Sequence, residues 1–145
     1  MKLLTKEIVK KLKKSTYDII HDKIPNVPII VKYFSLTGWT WYVYAGDQFQ
    51  NNETNKILIG AGLKAKRTSD WHLRAWVEGT ENEDGFVLLS ELESIRMPGP
   101  FDVLGVERDL YFTPCLLSEI PSYQEKFGTY SDELDWNNKS SPLHY

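Results

Sequence analysis

Hydrophobic and polar residues near the N-terminus follow the period of an α-helix. The apolar positions recur at intervals of three and four residues, namely Leu4, Ile8, Val9 and Leu12. This spacing places them on one stripe of a helix. Thr5 is a suitable N-cap, and Glu7 suits the first turn. We therefore predict a helix that begins after Thr5, continues weakly to Ile20 and ends before Pro25.

A second pattern, the alternation of apolar and polar residues, predicts strands in the rest of the chain. Residues 27–34 contain a β-branched run, and residues 39–45 alternate strictly. The alternation puts Trp39 and Trp41 on one face of the second strand and Tyr42 on the other. The link between the two strands contains Gly38, which favours a hairpin. Further strands are predicted at 56–60, 71–77, 86–89 and 110–112.

Polar and Pro-containing stretches indicate where these elements end. Loops are predicted at 46–55 and at the acidic stretch 78–85. Ser90 followed by Glu93 matches a capping box, which predicts a short helix. A helical turn is predicted at 115–120.

Together these elements predict an α+β fold in a single domain. It would contain an antiparallel sheet of five or six strands, an N-terminal helix and short helices after residues 90 and 115. The character of the sequence changes at Pro121, and residues 130–145 have few aliphatic side chains, which indicates a tail that is either partly disordered or docked on the domain by Trp136. We expect the domain to span residues 1–120 and a C-terminal extension to span residues 121–145.

Composition narrows the class of protein. The chain has 145 residues, of which 41% are hydrophobic, and this is ordinary for one globular domain. Its lone cysteine, Cys115, has no partner for an internal disulfide, and no apolar stretch has the length of a membrane span. The N-terminus lacks the apolar run of a secretory signal. These features predict a cytoplasmic protein with no membrane partner.

Charge is distributed unevenly along the chain. Residues 1–77 contain 13 Lys or Arg and 6 Asp or Glu, a net charge of +7. Residues 78–145 contain 4 and 14, a net charge of −10. Such asymmetry can steer association with a charged partner. The alternative is that the two halves pair within one fold and partly cancel.

Several stretches resemble a family catalogued as domain of unknown function 2958. They are MKLLTKE at 1–7, VKYF at 31–34 with GWTWYV at 38–43, GFVLLSELES at 85–94, VERDLYF at 106–112 and LLSEI at 116–120. The resemblance implies an origin on bacterial plasmids, conjugative elements or phages, and it brings no activity, cofactor or catalytic residue. Residues 46–70 and 121–145 depart from the family pattern as an expansion and an added tail.

The acidic half suggests an interaction protein as the leading hypothesis. Six carboxylates fall within 16 residues, namely Glu78, Glu81, Glu83, Asp84, Glu91 and Glu93. Facing outward together, they would imitate a row of phosphates and occupy the basic groove of a nucleic-acid enzyme. Because mobile elements carry inhibitors of host defence, the resemblance favours a non-enzymatic inhibitor that binds a protein partner. The alternative is that the acidic run is a solvated turn.

A second hypothesis is an accessory protein that binds single-stranded nucleic acid. Cationic and aromatic side chains would supply the interface, namely Lys64, Lys66, Arg67, Trp39, Trp41, Tyr42 and Tyr44. Exposed aromatic rings with nearby cations stack single-stranded bases. The alternative is that the aromatic residues build the core, and the acidic net charge of −3 disfavours a nucleic-acid footprint.

A third hypothesis is an enzyme with a ligand site at Glu107, Arg108 and Asp109. The guanidinium would clamp an anion while a neighbouring carboxylate acts as a general base. The alternative is a structural ion-pair cluster, because alternate residues of a strand point to opposite faces. No metal or cofactor is expected, since the three histidines lack metal-binding spacing. Cys115 lies in an apolar setting that favours an inert thiol.

Overall fold

The computed structural model describes residues 2–21, 26–51, 65–96 and 105–128, with the backbone alone at 49–51 and 65–67. The elements follow in the order α1 (Lys6–Ile20), β1 (Val31–Phe34), β2 (Thr40–Asn51), β3 (Ala65–Glu78), β4 (Asn82–Leu88), α2 (Leu89–Ser94), β5 (Glu107–Arg108), a 3-10 turn (Leu117–Glu119) and α3 (Pro121–Phe127). The five strands described form one antiparallel sheet in the order β4-β3-β2-β1-β5. The predicted α+β fold is therefore confirmed. The strand predicted at 56–60 lies outside the described residues.

The N-terminal helix forms as its sequence pattern predicts. The side chain of Thr5 accepts a hydrogen bond from the Ile8 amide at 3.2 Å, and so caps α1. The apolar stripe lies against the sheet, with Leu12 fully buried, while the four lysines between residues 10 and 14 are exposed.

Two hydroxyl groups attach α1 to β2. Thr16 Oγ1 donates to the Gly46 carbonyl and accepts from the Gly46 amide, both at 3.0 Å, and Ser15 Oγ donates to the Tyr44 carbonyl at 2.7 Å. These partners lie where the ladder between β2 and β3 shifts register, between Val43 and Ala45. The extra residue of this bulge frees backbone groups from the ladder, and the helix satisfies them. The bulge also places Ala45 on the face opposite Val43, against the predicted alternation.

Strands β2 and β3 are both longer than predicted. Residues 46–51 were expected in a loop, but they continue β2 and pair with residues 65–73 of β3. Their polar side chains obscured the strand, since backbone pairing stabilises a strand end whatever its hydropathy. Likewise, residues 82–85 of the predicted acidic loop belong to β4, which leaves only residues 79–81 in the turn.

A hydrophobic core lies on each face of the sheet. We call the one beneath α1 and α2 the helix-side core, which includes Leu12, Tyr33, Trp41, Val43, Leu73 and Leu92. The C-terminal core lies on the other face and includes Tyr44, Trp76, Leu117, Ile120 and Tyr123. Both faces are therefore covered, and α3 contributes to the second core. Residues 121–128, the start of the predicted C-terminal extension, pack on the domain.

Two local predictions are wrong. The expected strand at 110–112 is instead a turn, because Asp109 Oδ1 accepts from the Tyr111 amide at 2.9 Å and bends the chain. The expected capping box of Ser90 and Glu93 is not formed. Glu91 Oε1 accepts from the Leu88 amide at 3.1 Å, and Asp70 accepts from both the amide and the hydroxyl of Ser90. None of the helices in the described part of the chain has the length and apolar character required to span a bilayer.

Candidate partner-binding groove

An open groove of about 550 Å³ lies on the helix-side face of the sheet. The β1–β2 turn, the paired strands β2, β3 and β4, and α2 with the residue after it surround this groove. We call it the tryptophan groove, and it is lined chiefly by Trp39, Trp41, Val77, Val87, Glu83 and Glu91. Its volume lies within the range of typical ligand pockets.

Strand register assembles the floor of the groove. Trp41 pairs with Val77, and Val77 pairs in turn with Glu83, so the three side chains share one face of the sheet. One step along, Ala75 faces Gly85. Because Gly85 has no side chain, the floor is open beside Val77. A Cβ placed on Gly85 would lie 3.8 Å from Val77 Cγ2, which is ordinary contact.

Trp39 forms a partly exposed wall of the groove. It follows Gly38, whose φ of +97° closes the β1–β2 turn in a conformation that glycine adopts without strain. The indole stacks on Trp41 with ring centroids 6.1 Å apart and 24° between planes, and 39% of Trp39 is exposed. Its other neighbour is Gly79, where a Cβ would lie only 2.3 Å from the ring. Two glycines thus permit the position of this one indole.

Carboxylate and hydroxyl groups form the rim. Glu91 lies in the first turn of α2, where its Oε1 accepts a hydrogen bond from the Leu88 amide and so caps the helix. Glu83 is exposed on β4, and neither carboxylate forms an ion pair within the described residues. Three hydroxyl residues, namely Ser35, Thr37 and Ser94, complete the rim. Among the described residues that line the groove there is no Lys or Arg, so the charge that these residues give it is negative.

The six acidic residues of the leading hypothesis do not share one surface. Glu81 and Glu93 are exposed, as are the two groove residues Glu83 and Glu91. Glu78 accepts a hydrogen bond from Ser122 Oγ, and Asp84 lies on the opposite face from Glu83. The expected continuous acidic row is therefore corrected to four exposed carboxylates, two of which line the groove.

Asp84 belongs to an internal network on the C-terminal face. It accepts hydrogen bonds from the Tyr44 hydroxyl and from Arg74, whose Nη2 lies 2.8 Å from Oδ2. Arg74 is only 6% exposed. Burial raises the pKa of Asp84 above its ordinary value, while Arg74 and the Tyr44 hydroxyl oppose that rise. This carboxylate neutralises a buried cation and does not present charge to a partner.

The aromatic residues of the nucleic-acid hypothesis lie on two faces. Trp39 and Trp41 line the groove, whereas Tyr42 and Tyr44 belong to the C-terminal core or pack against it. Trp41 and Tyr44 are buried, so the four rings do not form one stacking platform. Lys64 lies outside the described residues, and only the backbones of Lys66 and Arg67 are described, in β3 opposite Gln50 and Phe49.

The three residues of the enzyme hypothesis do not converge. Glu107 is exposed on β5, and Arg108 Nη1 donates to the Lys2 carbonyl at 3.0 Å. Asp109 lies beyond β5, with Oδ2 3.6 Å from Lys32 Nζ. Their contacts are structural, and the expected shared ligand site is not formed.

The three hydroxyl residues of the groove, and the position of Trp39 and Trp41 beside Glu83 and Glu91, are not predicted by the sequence pattern. One signal was available, since pairing the strands on either side of the 79–81 turn puts Val77 opposite Glu83. Comparisons with protein-family models, curated proteins and solved structures found no match. The family resemblance therefore stays a prediction.

Proposed function

We propose that this protein is a non-enzymatic interaction protein that binds a basic protein partner through the tryptophan groove. The observation that carries the proposal is the joining of a partly exposed indole with two carboxylates in one open groove. Tryptophan is enriched among residues that dominate binding energy at protein interfaces. The carboxylates favour a partner with complementary positive charge.

The specific form of the proposal is inhibition of a nucleic-acid-targeting defence enzyme by a protein of a mobile genetic element. Such enzymes bind nucleic acid with Lys- and Arg-rich surfaces. The exposed carboxylates Glu81, Glu83, Glu91 and Glu93 would compete with phosphates for those cations, and Trp39 would add an apolar contact. The same carboxylates would repel a phosphate backbone, so direct nucleic-acid binding at this groove is not proposed.

Two substitutions separate the shape of the groove from its charge. Gly85→Val fills the floor with a residue that suits a strand, and Glu83→Lys reverses one rim charge. Glu107→Lys is the matched control, because Glu107 is exposed on β5 at the far edge of the sheet. Each variant would be immobilised and exposed to a lysate of a bacterial host. Urea unfolding would establish that all three remain folded.

We expect one basic protein to be captured by the native chain and by Glu107→Lys. Capture should fall at least about tenfold with Gly85→Val and with Glu83→Lys, a loss of about 1.4 kcal/mol of binding free energy. The nuclease activity of the captured protein, with and without the native chain, then tests the inhibitor form. Capture that both groove variants retain would contradict the proposed function.

A further inference from the structure

We infer that the tryptophan groove recognises an arginine side chain within a short basic segment of its partner. This inference rests on the proposed function and specifies the chemical group of the partner that binds in the groove. It is carried by the combination of Trp39, Glu83 and Glu91 around one cavity.

The electrostatics of the groove favour a cation. Both of its charged side chains are carboxylates, and neither is neutralised by an ion pair in the described part of the chain. The carboxylates of Asp84 and Asp109, by contrast, have Arg74 and Lys32 as partners on the opposite face. A cation in the groove would provide Glu83 and Glu91 with the kind of positive partner that Asp84 and Asp109 already have within the fold.

The mixture of flat and polar surfaces favours guanidinium over ammonium. A guanidinium is planar and weakly hydrated, so it stacks on an indole such as Trp39 while its edges donate hydrogen bonds. It has five N–H donors, and the carboxylates of Glu83 and Glu91 offer acceptors in the groove. A lysine ammonium would pair with one carboxylate but would gain less from the indole.

The size of the groove favours a peptide segment over a single free cation. A cavity of about 550 Å³ is large enough for a drug-sized ligand, and several residues line it on either side of Trp39. An arginine held between Trp39 and the carboxylates would leave apolar floor at Val77 and Val87 for neighbouring residues of the segment.

The test uses four blocked peptides that differ at one position. The sequence Gly-Ser-Gly-Xaa-Gly-Ser-Gly would carry Arg, Lys, trimethyl-lysine or the neutral isostere citrulline at the central residue. Calorimetry would measure each affinity for the full chain, and nuclear magnetic resonance would follow the indole N–H signals. We expect the Arg peptide to bind about tenfold more tightly than the citrulline peptide and more tightly than both lysine forms.

Variants locate the binding in the groove. Glu83→Gln should weaken Arg binding severalfold and reduce its dependence on salt, whereas Glu107→Gln should leave both unchanged. Gly79→Ala should also weaken it, because the new methyl group would displace the Trp39 ring that now lies against Gly79. A shift of the Trp39 indole signal in the free Gly79→Ala chain would confirm the displacement.

The outcomes separate this inference from the proposed function. Equal affinity for the Arg and citrulline peptides, or tighter binding of either lysine form, would overturn the inference. So would Arg binding that Glu83→Gln does not weaken. If the groove variants still lose the captured partner, the proposed function survives that result. Conversely, Arg binding at the groove together with unchanged partner capture would contradict the proposed function alone.

Discussion

Neighbouring residues in β4 have opposite roles although their chemistry is the same. Glu83 faces the tryptophan groove and is exposed, while Asp84 faces the C-terminal core and accepts hydrogen bonds from Arg74 and Tyr44. The strand alternation that separates them also divides the acidic run between two surfaces. Charge counts along the sequence therefore overstate the charge available to a partner.

We predict that Asp84→Asn destabilises the protein by about 3 kcal/mol, because it removes a carboxylate charge from beside the buried Arg74 guanidinium. Arg74→Met alone should cost a similar amount. The double variant should cost clearly less than the sum, since the two side chains interact directly. Urea unfolding of the four proteins would measure the coupling.

Glu83→Gln is the matched control for this cycle. It neutralises the adjacent, exposed carboxylate, so its free energy of unfolding should change by no more than about 0.5 kcal/mol. Strict additivity of the Asp84 and Arg74 substitutions would show that the ion pair contributes nothing to stability.

Among the elements, α3 shows how a short polar sequence can become part of the core. Its residues Tyr123 and Phe127 pack against Trp76, with ring centroids 5.2 and 5.9 Å from it. Ser122 Oγ accepts from Trp76 Nε1 at 2.8 Å and donates to Glu78. The helix thus covers an indole and satisfies its N–H group in one contact.

We predict that Tyr123→Ala lowers the free energy of unfolding by about 3 to 5 kcal/mol, because a large aromatic group leaves a cavity beside Trp76. Glu125→Ala, on the exposed side of the same helix, should have little effect. Thermal and urea unfolding would measure both. A small effect at Tyr123 would restore the view that the domain ends at residue 120.

Only some of the helices and strands can be predicted from the local sequence. The stripe of α1 and the Gly38 hairpin are confirmed because local periodicity and a turn residue determine them. The polar half of β2 and the acidic start of β4 escaped prediction because their pairing partners lie elsewhere in the chain. The N-terminus of α2 was misassigned for the same reason, since Asp70, which accepts hydrogen bonds from Ser90, lies 20 residues upstream.

At the scale of the whole molecule, the charge asymmetry is partly neutralised within the fold. Arg74–Asp84 and Lys32–Asp109 each join the basic half of the chain to the acidic half. The charges of these two pairs therefore neutralise each other within the fold, whereas the carboxylates of the groove remain available for the proposed cationic partner.

Two tyrosines on opposite faces of the sheet, the buried Tyr33 and the half-buried Tyr42, predict a loss of stability at high pH. Burial, with a smaller contribution from Glu78, raises the pKa of Tyr42 to about 12, and burial also raises the pKa of Tyr33. The unfolded chain loses these protons near pH 10, while the native state retains them. The free energy of unfolding should therefore fall as the pH rises above about 10 and be insensitive to these groups below it.

Urea unfolding between about pH 8 and 11 would measure that decline, because this range spans the ordinary tyrosine pKa of about 10. Tyr42→Phe should make it shallower, because the substituted side chain has no proton to lose in either state. Tyr111→Phe is the control, since Tyr111 is 94% exposed. Identical slopes for the native chain and Tyr42→Phe would contradict the prediction.

The fold class, the first helix and the first hairpin could be predicted from the amino-acid pattern alone, because local periodicity and turn residues indicate which segments form helices and strands. The sequence also showed which residue types were available for a site, since Trp39, Trp41, Glu83 and Glu91 stand out by composition. Which of these residues lie together depends on the pairing of strands in the folded chain. Register across β2, β3 and β4 joins an aromatic strand to an acidic one, and such pairing depends on residues distant in sequence that local periodicity does not encode.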